Sequence, residues 1–108
     1  MNKLLVTAFE KAAEDKYLRE LVIAHFREAY DSWRASDPDE VADIGFLTFD
    51  ETLLTFHGIR ITASSDPAYT CAMEAEYRIL CPGNAKIVYI LKFWDNGAVY
   101  DDVLYTER

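Results

Sequence analysis

The segment KIVYILKFWDNGAVYDDVLYT, residues 86–106, decides the fold of this chain. Two runs rich in β-branched and aromatic residues flank Asn96-Gly97, the dipeptide that favours a two-residue hairpin turn with both residues at positive φ. Such a turn sets Asp95 opposite Ala98 and Lys92 opposite Asp101. One face of the hairpin then carries Ile87, Tyr89, Leu91 and Phe93 beside Tyr100 and Leu104. The other carries Val88, Ile90 and Trp94 beside Val99, Val103 and Tyr105. A hairpin with one wet side alternates apolar and polar residues, whereas this one is apolar on both. One face is expected to join a core and the other to be covered by something else.

Working back from the hairpin, Tyr69 to Leu80 alternates with period two. Tyr69, Cys71, Met73, Ala75, Tyr77 and Ile79 share one side, and Thr70, Glu74, Glu76 and Arg78 the other. The connection Cys81-Pro82-Gly83-Asn84 leaves two registers open. A two-residue Pro82-Gly83 loop sets Tyr77 opposite Val88, and inclusion of Asn84 sets it opposite Tyr89. Upstream, IGFLTF and TLLTF read as short strands around an Asp50-Glu51 turn. The alternation changes parity at His57-Gly58, which points to a bulge or a turn. Ser64-Ser65-Asp66-Pro67 reads as a loop.

The first third has helical spacing. Asn2 suits the cap of a first helix with Leu4, Leu5, Ala8, Phe9 and Ala12 on its apolar side. Asp15 suits the cap of a second, whose stripe is Leu18, Leu21, Val22, Phe26, Ala29 and Trp33. The two are equally readable as one helix bent near Glu14. Ser36-Asp37-Pro38-Asp39-Glu40 is a boundary followed by a short third helix to Val41 or Ala42, with Pro and acids suited to a first turn. The expected fold is α+β: one domain, residues 1–108, with two or three N-terminal helices packed on one face of a four- or five-stranded antiparallel meander.

At 108 residues and 51% hydrophobic content the chain can bury a core without metal or disulfide support. No apolar run approaches the ~20 residues of a membrane span. The N-terminus becomes charged too early for a secretory leader, so a cytoplasmic protein is expected. Cys71 and Cys81 stand ten residues apart on one extended segment and read as small buried hydrophobes. The net charge of −8 is concentrated between residues 37 and 66, where Arg60 alone opposes seven acids, for a net of −6. No basic stripe exists to displace counterions, so direct nucleic-acid binding is not expected. A basic protein surface is the natural complement of Asp37, Asp39, Glu40 and Asp43.

None of the common phosphate-loop, dinucleotide, nucleophile-elbow or zinc motifs occurs, and four glycines leave little material for a phosphate cradle. Asp37, Asp39, Glu40 and Asp43 lack the Gly and Glu spacing of a calcium loop, and no metal or other cofactor is expected. His25 reads as a helix-boundary histidine and His57 as a bulge or turn histidine.

These features point to a non-catalytic protein-binding module. Val88, Ile90, Trp94, Val99, Val103 and Tyr105 form the expected docking face, and Asp37, Asp39, Glu40 and Asp43 the acidic complement. In size and charge such a module is analogous to inhibitors, immunity proteins and phage anti-defence proteins. Self-association through the sheet, as a homodimer, is a second expectation. A third is a cavity protein or small enzyme. Helices followed by a curved sheet is the general plan of nuclear-transport-factor-like domains, and SDPDEVADIGFLTFDETLLTFHG has a similar rhythm without a residue-level motif of that family. A pocket between helices and sheet, with His57 at its wall, is what that reading requires.

Overall fold

A computed structural model describes residues 16–45, 53–64, 66–69, 71–94 and 96–107. Within them the order is α1 (Lys16–Ser36), α2 (Pro38–Asp43), β1 (Thr55–Ala63), β2 (Cys71–Leu80), β3 (Lys86–Trp94) and β4 (Val99–Glu107). The strands form one antiparallel sheet in the order β1-β2-β3-β4. The fold is thus α+β, with one long and one short helix among the described residues. The expected first helix, the Asp15 cap and residues 46–52, with most of the IGFLTF strand and the Asp50-Glu51 turn, lie outside them. Ile44 and Gly45, expected to open that strand, instead close α2 through N–H bonds to the Glu40 and Ala42 carbonyls, and TLLTF becomes strand only from Thr55.

Helix α1 follows the spacing read from the sequence. Leu18, Val22 and Phe26 are buried, with Leu21, Ala29 and Trp33 partly so. Tyr30, four residues beyond Phe26, extends the stripe and is also buried, an addition to the expected set. Ser36 and Asp37 end the helix: Ser36 Oγ donates to the Trp33 carbonyl at 3.2 Å, and the Asp37 N–H donates to the same oxygen at 2.8 Å. Asp37 then caps α2, its carboxylate accepting from the Glu40 N–H at 3.2 Å, with Pro38 in the first turn.

The helix stripe lies on the sheet face of Ala75, Tyr77, Ile79, Ile87, Tyr89 and Leu91, all fully or almost fully buried. Phe26 meets Tyr89 edge-on, with ring centroids 5.2 Å apart at 87°. Phe56 meets Tyr77 similarly at 5.4 Å. Arg19 Nη1 donates to the Leu54 carbonyl at 2.9 Å and ties α1 to the start of β1.

The β2–β3 and β3–β4 turns are both three-residue loops. In the first, the Asn84 N–H donates to the Cys81 carbonyl and the Cys81 N–H to the Ala85 carbonyl, with Asn84 at φ +66°. Of the two registers left open by the sequence, the one that includes Asn84 is observed, and Tyr77 faces Tyr89. In the second, the Gly97 N–H donates to the Trp94 carbonyl and the Trp94 N–H to the Ala98 carbonyl. This corrects the expected two-residue turn. Gly97 alone takes positive φ, at +88°, while Asn96 does not, and Ala98 opposes Trp94 in place of Asp95.

A three-residue loop displaces the pairing by one position, and an extra residue in β4 displaces it back. Phe93 pairs with Val99, but Lys92 pairs with Asp101, leaving Tyr100 as the bulged residue. From Lys92 inward the register is therefore the expected one. Near the turn, two side chains change sides: Val99 packs against the core cluster and Tyr100 joins the opposite face. A bulge also occurs at His57, between the Phe56–Tyr77 and Gly58–Glu76 pairs, where the sequence parity breaks.

Because Gly97 occupies left-handed space, Gly97→Ala is expected to cost about 1–2 kcal/mol in urea unfolding. Asn84→Gly, which removes a side chain from the equivalent position of the first turn, is expected to leave stability equal or slightly higher.

Candidate functional site

The face of the sheet turned away from α1 is divided lengthwise. On its β1–β2 half, Glu74 Oε2 lies 3.2 Å from Arg60 Nη2 and Glu74 Oε1 lies 3.7 Å from Lys92 Nζ. Glu76 Oε2 lies 2.8 Å from Arg78 Nε and 3.6 Å from His57 Nε2. Lys92 thus leans toward Glu74, although Asp101 is its partner in register as expected. Asp101 Oδ1 accepts from the Asp102 N–H at 2.8 Å.

The β3–β4 half is apolar except for the Lys92–Asp101 pair that crosses it, and it ends in a stack of three aromatic rings. Trp94 lies between Tyr69, at 4.4 Å and 2° between planes, and Tyr100, at 4.2 Å and 25°. Each outer ring is brought there by a local device. The bulge turns Tyr100 out of the core side. A turn from Asp66 to Tyr69 delivers the other, with the Ala68 N–H donating to Asp66 Oδ1 at 2.9 Å and the Tyr69 N–H to the Asp66 carbonyl at 3.1 Å. Strand parity grouped Tyr100 with Tyr89 and Tyr69 with Tyr77, which in the observed register is the core side.

Of the residues expected to form the docking face, Ile90, Trp94 and Val103 are partly exposed and Tyr105 is 40% exposed. Two others are corrected. Val88 is on this face but has no exposed surface, being closed over by its neighbours. Val99 is on the core side because of the bulge.

The acidic residues divide as well. Asp39 and Asp43 are exposed, and Asp37 is the α2 cap. Glu40 is half-buried and bridges two elements: Trp33 Nε1 donates to its Oε2 at 3.4 Å and Thr106 Oγ1 to its Oε1 at 3.3 Å. It stands beside Tyr105, at the end of the apolar half-face.

His57 lines a shallow depression of about 270 Å³ with Arg60, Glu74, Glu76 and Ile90. That depression is on the side opposite α1, so it is not the helix–sheet pocket required by the cavity-protein reading. Its imidazole is 53% exposed and shares Glu76 with Arg78. No group of three metal-ligating side chains occurs among the described residues, and no described helix is long and apolar enough to cross a membrane. Cys71 and Cys81 are both free thiols, and burial raises the pKa of Cys81.

Below the sheet, the Tyr89 hydroxyl donates to Asp102 Oδ2 at 2.7 Å. Burial first, then the bond to Asp102 and the charges of Asp102 and Glu28, push the phenol well above its ordinary value of 10.0. Comparison of the chain with family models, with curated proteins and with solved structures finds no match.

The folded state keeps Tyr89 protonated while the unfolded chain releases that proton near its ordinary value. The stabilisation is therefore complete below about pH 10 and is lost as pH rises beyond it. Tyr89→Phe is expected to cost about 1 kcal/mol at neutral pH through the lost hydrogen bond. It should also flatten the alkaline loss, so that urea unfolding at pH 8 and pH 11 differs less in the variant than in the parent.

Proposed function

We propose that this protein is a non-catalytic protein-binding module that docks through the β3–β4 half of its open sheet face. The supporting observation is the Tyr69–Trp94–Tyr100 stack, which shares the side opposite the helices with Ile90, Val103 and Tyr105, the charged Lys92–Asp101 pair lying between them. Rigid aromatic groups contribute large contact area at small entropic cost, and they are enriched where a few residues carry most of a binding energy. The ion pairs of Glu74 and Glu76 border this area on one side, an apolar centre with a charged margin that is common at protein interfaces. Exposed Asp39 and Asp43 favour approach of a basic partner surface.

The test is capture from the native host, followed by identification of the bound protein and measurement of its association with the purified module. Trp94→Ala and Tyr100→Asp are expected to weaken that association at least tenfold, with circular dichroism unchanged. Asp39→Lys is expected to slow association, with the difference fading as salt rises. Full association by the Trp94 and Tyr100 variants would overturn docking on this face. A stable dimer by sedimentation, dissociated by the same substitutions, would assign the face to self-association.

A further inference from the structure

Where the last turns of α1 meet the end of β4, an open cleft of about 620 Å³ is lined by Ser32, Trp33, Ser36, Glu40, Tyr105 and Thr106, among others. Its polar anchor is the Glu40 carboxylate. The two bonds that hold this group come from an indole N–H and a threonine hydroxyl, which orient the carboxylate without neutralising it. A carboxylate has about four lone-pair positions, so each oxygen retains one for a further donor. The basic residue of the last turn of α1, Arg34, hydrogen-bonds instead to Tyr30. Asp39, adjacent in the chain, and Asp37, three residues before it, add further negative charge.

An oriented carboxylate held by an indole N–H calls for a flat cation. A guanidinium fits on three grounds. It makes two parallel N–H···O bonds to a carboxylate, its faces rest on indole or phenol rings, and it is more weakly hydrated than an ammonium. Two exposed serines at the mouth can accept its remaining donors. Tyr105 belongs both to this cleft and to the apolar half-face, so a partner lying on that face reaches the cleft without a gap.

We propose that this cleft seats an arginine side chain of the protein partner, with its guanidinium forked onto Glu40 beside the indole of Trp33. The proposal rests on the protein-binding reading above and adds what the partner must present.

The indole N–H of Trp33 reports on the site directly because it donates to Glu40. The chain has two tryptophans, so Trp33→Phe assigns its signal in a proton–nitrogen correlation spectrum. Titration with acetyl-Gly-Arg-Gly-amide is expected to move that signal saturably. The citrulline peptide, equal in shape but uncharged, should leave it in place, and the lysine peptide should bind several-fold more weakly. Glu40→Gln is expected to weaken arginine-peptide binding about tenfold. Ser32→Tyr, at an exposed position on the rim, should block it while leaving the Glu40 contacts intact.

Absence of a saturable shift, an equal response to citrulline, or binding that survives both substitutions would overturn the proposal. Methylguanidinium bound more tightly than the peptide would also overturn it, because the source would then be a small free cation. The two readings fail separately. Partner capture through Trp94 without an arginine response at Trp33 removes the cleft and leaves the docking face. Arginine binding with no dependence of capture on Trp94 removes the docking face, and with it the assignment of the arginine to a docked partner.

Discussion

The edge-on contact of Phe26 with Tyr89 joins α1 to an inner strand of the sheet, and the sidedness of the molecule follows from it. Both rings are fully buried, and each belongs to a column of apolar side chains on its own element. Once that face of β3 is covered, the alternation of β2 and β3 carries Ala75, Tyr77, Ile79, Ile87 and Leu91 inward with it. A hydroxyl in that core needs an acceptor, and Asp102 at the edge of the sheet supplies one. Burial of Tyr89 thus also fixes where β4 places one of its two adjacent aspartates.

The opposite face inherits what the core does not take. Its character is set by one inserted residue. The bulge at Tyr100 exchanges two side chains between faces, so that a valine closes the core edge and a tyrosine stacks on Trp94. The stack is completed from outside the strands by Tyr69, held by a turn built on the Asp66 side chain. An apolar strip in a two-layer protein would invite unspecific association. Here the ion pairs along β1 and β2 confine it to half of the sheet.

Glu40 shows how one residue can serve the fold while keeping capacity for a ligand. The cap at Asp37 begins α2, and α2 delivers Glu40 to the gap between Trp33 and Thr106. Its neutral donors stabilise the position of the carboxylate and leave its charge in place. The stretch of acids read from the sequence as a single electrostatic element is therefore three things in space: a cap, a bridge and exposed surface charge.

Much of the fold was legible in the chain because its periods are clean. Strict alternation marks β2, and the β-branched and aromatic run before Asn96-Gly97 marks β3. The spacing of Leu18, Val22 and Phe26 marks α1. Pro38 after a capping residue marks α2, and His57-Gly58 marks the first bulge. The site was legible only in part. Val88, Ile90, Trp94, Val103 and Tyr105 were placed on the open face by parity, although Val88 is fully buried there, but Val99, Tyr69 and Tyr100 were not placed as observed.

The reason is that local pattern fixes which residues share an element, while faces depend on integer counts at turns and bulges. One added residue reverses every side chain that follows until another restores it. Asn96-Gly97 announces a turn but not whether two or three residues form it. By itself, then, the sequence determined the elements, the acidic balance and the doubly apolar hairpin. Tertiary structure decided which face the helix covers, which rings stack outside it, and that Glu40 is held between a helix and a strand, because each of these is a contact between segments distant in the chain.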